Sequence, residues 1–173
     1  KAFDRLGHVI YCSSFSKTLS PGVRIGWMIA GKYQAEIQRL QTFSTHSACS
    51  VTQMAVASYL ENGGYDRHLR RLKTNLQDQR DQLAEMLDDE WPIPVRFSQP
   101  EGGLCLWLEL PEQINTLDCY SAARAAGMII TPGALFTSQF RYRNCLRLSF
   151  AHPWHETRRA ALLSLGQLLA DRI

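Results

Sequence analysis

The chain has 173 residues, 19 lysines and arginines against 16 acidic residues, a net charge of +3 and a hydrophobic fraction of 45%. That length suffices to bury a core, the charge excess is too mild to imply nucleic acid by itself, and no apolar run approaches the roughly 20 residues that span a bilayer. The cysteines, Cys12, Cys49, Cys105, Cys119 and Cys145, are scattered and form no Cys-x-x-Cys pair. This argues against a zinc site or a disulfide framework and for a reducing, cytoplasmic setting.

In chain order, Lys1 to His8 reads as a helix end and loop. Val9-Ile10-Tyr11 is a short apolar run, as in a buried strand, and Trp27 to Ala30 is a second. Tyr33 to Phe43 places Ile37, Leu40 and Phe43 at helical spacing. A polar connector, Ser44 to Ser50, leads to a helix over Val51 to Leu60 with Ser50 as its N-cap, and Gly63-Gly64 ends it. Tyr65 to Asp89 carries Leu69, Leu72, Leu76, Leu83 and Leu87 as one stripe and predicts a long amphipathic helix. His68, Arg70, Arg71 and Lys73 near its start form a basic cluster, read as a solvated face because no aromatic residues interleave it.

Beyond Trp91-Pro92 the pattern becomes that of an α+β unit. Val95 to Ser98 predicts a strand, Pro100 to Gly103 a turn, and Leu104 to Leu110 a strand whose leucines alternate onto one face. Leu117 to Ala126 predicts a helix closed by Gly127. Met128 to Ile130 predicts a strand running into Thr131-Pro132-Gly133. Asn144 to Phe150 predicts a further strand, and Glu156 to Leu169 a terminal helix. His152 and His155, just before that helix, suit a cap or the surface better than a catalytic base. The N-terminus has neither a signal-peptide pattern nor an initiator methionine, and suggests a chain cut in mid-sequence.

Two places carry candidate chemistry. Between the first two strands lies Cys12-Ser13-Ser14-Phe15-Ser16-Lys17-Thr18-Leu19-Ser20-Pro21-Gly22-Val23-Arg24-Ile25-Gly26. Small hydroxyls and a guanidinium suit a dianionic phosphate, because arginine offers several donors in a fixed fork. Lys17 beside them is a phosphate ligand or, if kept partly neutral, a nucleophilic amine able to form a Schiff base with an aldehyde. A Walker phosphate loop is excluded, since Ser16-Lys17-Thr18 lacks the preceding glycines. A plain surface turn leaves the clustering of polar groups between two apolar runs unexplained. The second place is Arg147, which shares one strand face with Cys145 and Ser149 while Leu146, Leu148 and Phe150 share the other. It reads either as an exposed strand arginine or as a clamp for a carboxylate.

Ser14-Phe15-Ser16-Lys17, followed by Pro21-Gly22-Val23-Arg24-Ile25-Gly26-Trp27, resembles the pyridoxal-phosphate lysine motif of class I/II aminotransferases. It is most similar to the aminotransferase-like domain of MocR-type regulators, which follows a GntR-type winged-helix DNA-binding domain. The resemblance implies an α/β fold, fold type I, with the end of the large domain in residues 1–75 and the α+β small domain in 76–173. It implies that Lys17 carries an internal aldimine with pyridoxal 5′-phosphate, that Ser14 and Arg24 hold the cofactor phosphate with help from Ser16, and that Arg147, in Arg147-Leu148-Ser149-Phe150-Ala151, binds a substrate carboxylate. Gly102-Gly103 and Pro132-Gly133 through Phe136 match family turns near the site, although turn chemistry alone accounts for them as well. The implied ligand is an amino acid or 2-oxo acid, the parent protein a homodimer, and DNA contact the work of a domain outside this chain. A free-standing amino-acid aminotransferase is the alternative. In the family the acidic partner of the pyridine nitrogen and the ring that stacks on the pyridine lie upstream of the lysine, so the expectation is that these 173 residues alone are inactive.

Overall fold

In a computed structural model, described for residues 2–44, 46–139 and 141–173, the chain divides into two compact units, Lys1–Lys73 and Thr74–Ile173. The connector expected over 44–50 includes Thr45, and the N-terminal loop includes Lys1. Both of these residues lie outside the described ones.

The first unit is built on an antiparallel hairpin, β1 (Tyr11–Ser14) with β2 (Gly26–Ile29), in a register that sets Tyr11 opposite Ile29 and Ser14 opposite Gly26. The first strand starts later than the apolar run suggests. The N–H groups of His8 and Val9 donate to the Asp4 carboxylate, at 2.9 and 3.1 Å, and so are not committed to a ladder. Val9, Ile10, Tyr11, Trp27, Met28 and Ile29 are between 41% and 47% exposed, where the sequence suggested burial. A two-stranded sheet has few neighbours to cover its faces; Ile25 and Ala30, at the two ends of the second strand, are buried. Then come α1 (Gln34–Ser44) and α2 (Ser50–Glu61), the latter capped by Cys49 where Ser50 was expected. Gly64 does not end that helix: it opens α3 (Gly64–Asp89), the long amphipathic helix, whose residues 64–73 belong to the first unit.

The second unit has a four-stranded antiparallel sheet of order β3 (Arg96–Phe97), β4 (Cys105–Glu109), β6 (Cys145–Ser149), β5 (Thr131–Pro132). Leu106, Leu108 and Leu110 are at most 3% exposed, which fits the alternation read from the sequence. They pack with Leu83, Met86 and Leu87 of α3, with Ala123 of α4 (Tyr120–Ala125), and with Leu162, Leu165 and Leu169 of α5 (Glu156–Ala170). Two elements differ from expectation by more than one residue at an end. The fourth helix begins at Tyr120 and not Leu117, because the preceding residues form a turn in which the Asn115 side chain accepts from the Leu117 N–H at 3.2 Å. Met128 to Ile130 is not a strand: the Met128 N–H closes that helix by donating to the Ala123 carbonyl at 2.8 Å, and pairing begins only at Thr131. His155 caps the last helix, its Nδ1 accepting from the Arg158 N–H at 3.2 Å.

Candidate functional site

The polar loop of the first unit continues the hairpin ladder by one bond, Phe15 N–H to the Ile25 carbonyl at 2.9 Å, and then turns sharply. The Phe15 carbonyl accepts from Thr18, Leu19 and Ser20, at 3.3, 2.8 and 3.3 Å, so that Lys17 sits inside a single closed turn. Ser20 then caps a short 3-10 helix, Pro21–Val23, its hydroxyl accepting from the Gly22 N–H at 3.3 Å. Proline suits the first position of that helix, where its lacking N–H costs nothing. Arg24 ends the helix with φ +48°, the left-handed region that side chains other than glycine's rarely adopt. A backbone held there at a cost of about 1–3 kcal/mol is a recurrent mark of functional positions.

Ser14, Lys17 and Arg24 are exposed and Ser16 is half-buried. The loop therefore brings two hydroxyls, an amine and a guanidinium onto one turn-and-helix segment of the hairpin. Gly26 is required where the loop rejoins the sheet, since a Cβ there would lie 2.9 Å from the Ser13 carbonyl oxygen. On the far side of the loop, the start of α3 reaches back. The Tyr65 hydroxyl donates to Thr18 Oγ1 at 2.8 Å, His68 Nε2 donates to the Thr18 carbonyl at 2.8 Å, and the Tyr65 ring meets Phe15 edge-on at 5.5 Å. His68 is thus half-buried against the loop, and does not share the fully solvated face expected for the basic cluster. A cleft of about 630 Å³ between the hairpin and the first helix is lined by residues including Cys12, Trp27, Ile37 and Gln41, with neither Lys17 nor Arg24 among them.

In the second unit Arg147 occupies the sheet face opposite the leucine core, exposed, paired in register with Trp107 on one side and Thr131 on the other. Its guanidinium lies over the Phe136 ring at 5.2 Å. The Trp107 ring meets Phe136 at 5.3 Å and Tyr142 at 5.5 Å, both edge-on. A guanidinium on a ring face keeps its in-plane donors free, so an aromatic platform and a carboxylate can engage it together. The Pro132-Gly133 turn delivers Phe136 to this position through a 3-10 helix, Gly133–Phe136. Nearby, burial lowers the pKa of the Arg158 guanidinium, which donates to the Ser149 carbonyl at 2.9 Å and to that of His152, and lies over Trp154 at 5.3 Å. Those contacts make Arg158 a fastener of the strand end; it is Arg147 that faces outward.

Residues 3–165 match the family model for aminotransferases of class I and II, and the chain belongs to that family. Over all 173 residues it is 39% identical to a protein of Escherichia coli K12 described as the uncharacterized HTH-type transcriptional regulator YdcR, and it spans 37% of that relative's length. Among solved structures, the multiple substrate aminotransferase of Thermococcus profundus superposes with a TM-score of 0.86 at 31% identity, over 98% of this chain and 42% of that one. The α-aminoadipate aminotransferase LysN of Thermus thermophilus, solved with N-(5′-phosphopyridoxyl)-L-leucine, superposes with a TM-score of 0.82 at 30% identity, over 94% of this chain and 42% of that one. The fold is accordingly the α/β fold of the pyridoxal-phosphate-dependent aminotransferases, fold type I. No helix among the described residues is long and apolar enough to cross a membrane.

Three features of the site carried little or no sequence signal. The left-handed Arg24 is not foreshadowed by its residue type. His68 and Tyr65 lie about fifty residues from Thr18 in sequence, and leucine periodicity says nothing about what the polar positions of a helix touch. The platform under Arg147 was hinted at only by the turn that carries Phe136.

Proposed function

We propose that this chain is the C-terminal part of the pyridoxal-phosphate-binding, aminotransferase-like domain of a MocR-type transcription regulator. The observation that carries the reading is the 39% identity to an HTH-type regulator along the whole of the chain. In this reading residues 1–75 end the large domain, 76–173 form the small one, and DNA is contacted through a domain outside these residues. The parent protein is a cytoplasmic homodimer whose effector is an amino acid or 2-oxo acid.

The donor set fits the cofactor. Ser14, Ser16 and Arg24 supply two hydroxyls and a cation for its phosphate, and Lys17 supplies an exposed primary amine on the same loop. When bound, pyridoxal phosphate supplies an aldehyde that reacts with primary amines and a ring that accepts an electron pair from the substrate's α-carbon. The chain's own residues do the rest. Arg24 neutralises the phosphate and, from its fixed backbone position, orients it. Lys17 would anchor the cofactor, and its amine, when free, would take and return a proton at the ligand's α-carbon. Arg147, held over Phe136, binds the ligand carboxylate.

The second reading is a free-standing amino-acid aminotransferase, favoured by the superposition with the Thermococcus profundus enzyme at a TM-score of 0.86. The full-length protein separates the two. The regulator reading expects promoter DNA binding that shifts when pyridoxal phosphate and amino acids are added, without sustained release of 2-oxo acid. Steady turnover of an amino acid with no DNA binding overturns it in favour of the enzyme.

A further inference from the structure

The contacts between the start of α3 and the loop bear directly on how Lys17 is presented. Lys17 is exposed, but the residues on either side of it are not left to solvent. Two positions earlier, the Phe15 carbonyl is the acceptor that closes the turn, and the Phe15 ring packs on Tyr65. One position later, Thr18 is held twice, through its hydroxyl by Tyr65 and through its carbonyl by His68, each at 2.8 Å. Both donors lie on the first turns of one helix, at i and i+3, and so face the same way. All three contacts fall on residues flanking Lys17, one on the Thr18 backbone carbonyl and two on the Thr18 and Phe15 side chains, and none is made to the Lys17 side chain.

We propose that Tyr65 and His68 are positioning residues for Lys17. They fix the Phe15–Thr18 turn so that the lysine's backbone is immobile while its amine stays free to swing. The inference rests on the reading of Lys17 as the residue that binds the cofactor covalently. An anchoring amine has to leave the cofactor and return to it. A fixed backbone shortens that search, because the loop conformation need not be found again each time. Because the clamp acts on Thr18, it belongs to α3 and not to the hairpin, and a change in the first turns of that helix would reach Lys17 through two hydrogen bonds.

The experiment is performed on the full-length protein containing these residues, with pyridoxal phosphate as the probe. Borohydride trapping followed by mass mapping gives the rate at which Lys17 is labelled. Amide hydrogen exchange at Leu19 and Ser20, which donate to the Phe15 carbonyl, is measured without cofactor. Tyr65→Phe keeps the ring contact and removes only the hydroxyl, and Thr18→Val removes its acceptor. Each is expected to slow labelling by roughly tenfold, as loss of one partly buried hydrogen bond predicts, and the double variant by no more than either alone. His68→Leu is expected to slow labelling and speed exchange at Leu19, while His68→Gln, which keeps an N–H donor at similar reach, restores both. If the parent protein labels at Lys17 and these variants label and exchange as it does, the clamp is refuted and the cofactor reading survives. If the parent protein does not label at Lys17 at all, the cofactor reading falls, and the proposal with it.

Discussion

Arg24 and Arg147 have the same side chain and occupy unlike places. Arg24 ends a 3-10 helix in a left-handed conformation beside Lys17, whereas Arg147 stands on an open sheet face over Phe136. Their losses are therefore expected to separate. Arg24→Ala should weaken pyridoxal phosphate itself, and Arg147→Ala should leave the cofactor bound and weaken an amino-acid ligand. Each loss removes charge-assisted hydrogen bonds of about 1.5–3 kcal/mol, roughly ten- to hundredfold in affinity. Titration of both variants, first with cofactor and then with amino acid, checks this; equal loss of cofactor in the two would show that Arg147 has another task. At this scale the sequence is legible in residue type. Hydroxyls, an amine and an arginine stand between two apolar runs, and a phosphate site is the expectation those residue types carry. What it leaves out is conformation and long-range partnership: the positive φ of Arg24, and the meeting of His68 with the Thr18 carbonyl.

The element that delivers Phe136 to Arg147 turns at Gly133, and there is no room for a side chain at that turn. A Cβ on Gly133 would lie 2.4 Å from the Tyr142 carbonyl oxygen and 2.7 Å from the Cys145 Cβ, atoms of the backbone and of a buried strand that cannot easily yield. Gly133→Ala is expected to destabilise the second unit by about 1–3 kcal/mol, the usual cost of overpacking, and to move Phe136 off the Arg147 guanidinium. Gly102, with nothing within 4 Å of an added Cβ, is the control. Urea midpoints that fall equally for Gly133→Ala and Gly102→Ala would contradict the packing argument. Most elements were readable because their periods are plain: alternating leucines from Leu104 to Leu110, and the long stripe ending at Leu83 and Leu87. Two of the differences arose where a backbone group had two possible partners. The Asp4 carboxylate takes the N–H groups of His8 and Val9 from a ladder, and the Ala123 carbonyl takes that of Met128 from a strand.

On the scale of the whole molecule, the two units are unequally built. The second has a continuous core from Leu83 to Leu169, while the hairpin of the first leaves Tyr11, Trp27, Met28 and Ile29 more than two-fifths exposed. The cysteines report on this separately. Cys12 and Cys49 are exposed in the first unit, and Cys119 and Cys145 are buried in the second. Hydrogen bonds from Thr52 hold the Cys49 thiol below its ordinary pKa, whereas burial pushes those of Cys119 and Cys145 up. Thiol labelling is expected to be immediate at Cys12 and Cys49 and to require unfolding at Cys119 and Cys145. The raised thiols give a direction with pH. Folded, they keep protons that the unfolded chain releases above its ordinary value of 9.0, so their contribution is complete below that pH and is lost as pH rises through the folded values. The second unit should therefore unfold at lower urea as pH climbs past 9, and a midpoint that rises there would contradict the assignment. The fold class was legible from the motif around Lys17, but the uneven burial was not, since apolar composition does not say which apolar faces find a cover. The central claim, that this loop binds a cofactor through Lys17, is tested most directly by borohydride reduction of the full-length protein with pyridoxal phosphate, followed by peptide mass mapping. One stable phosphopyridoxyl adduct is expected, on Lys17, and Lys17→Ala abolishes it; an adduct on a different lysine, persisting in Lys17→Ala, would contradict that role for Lys17.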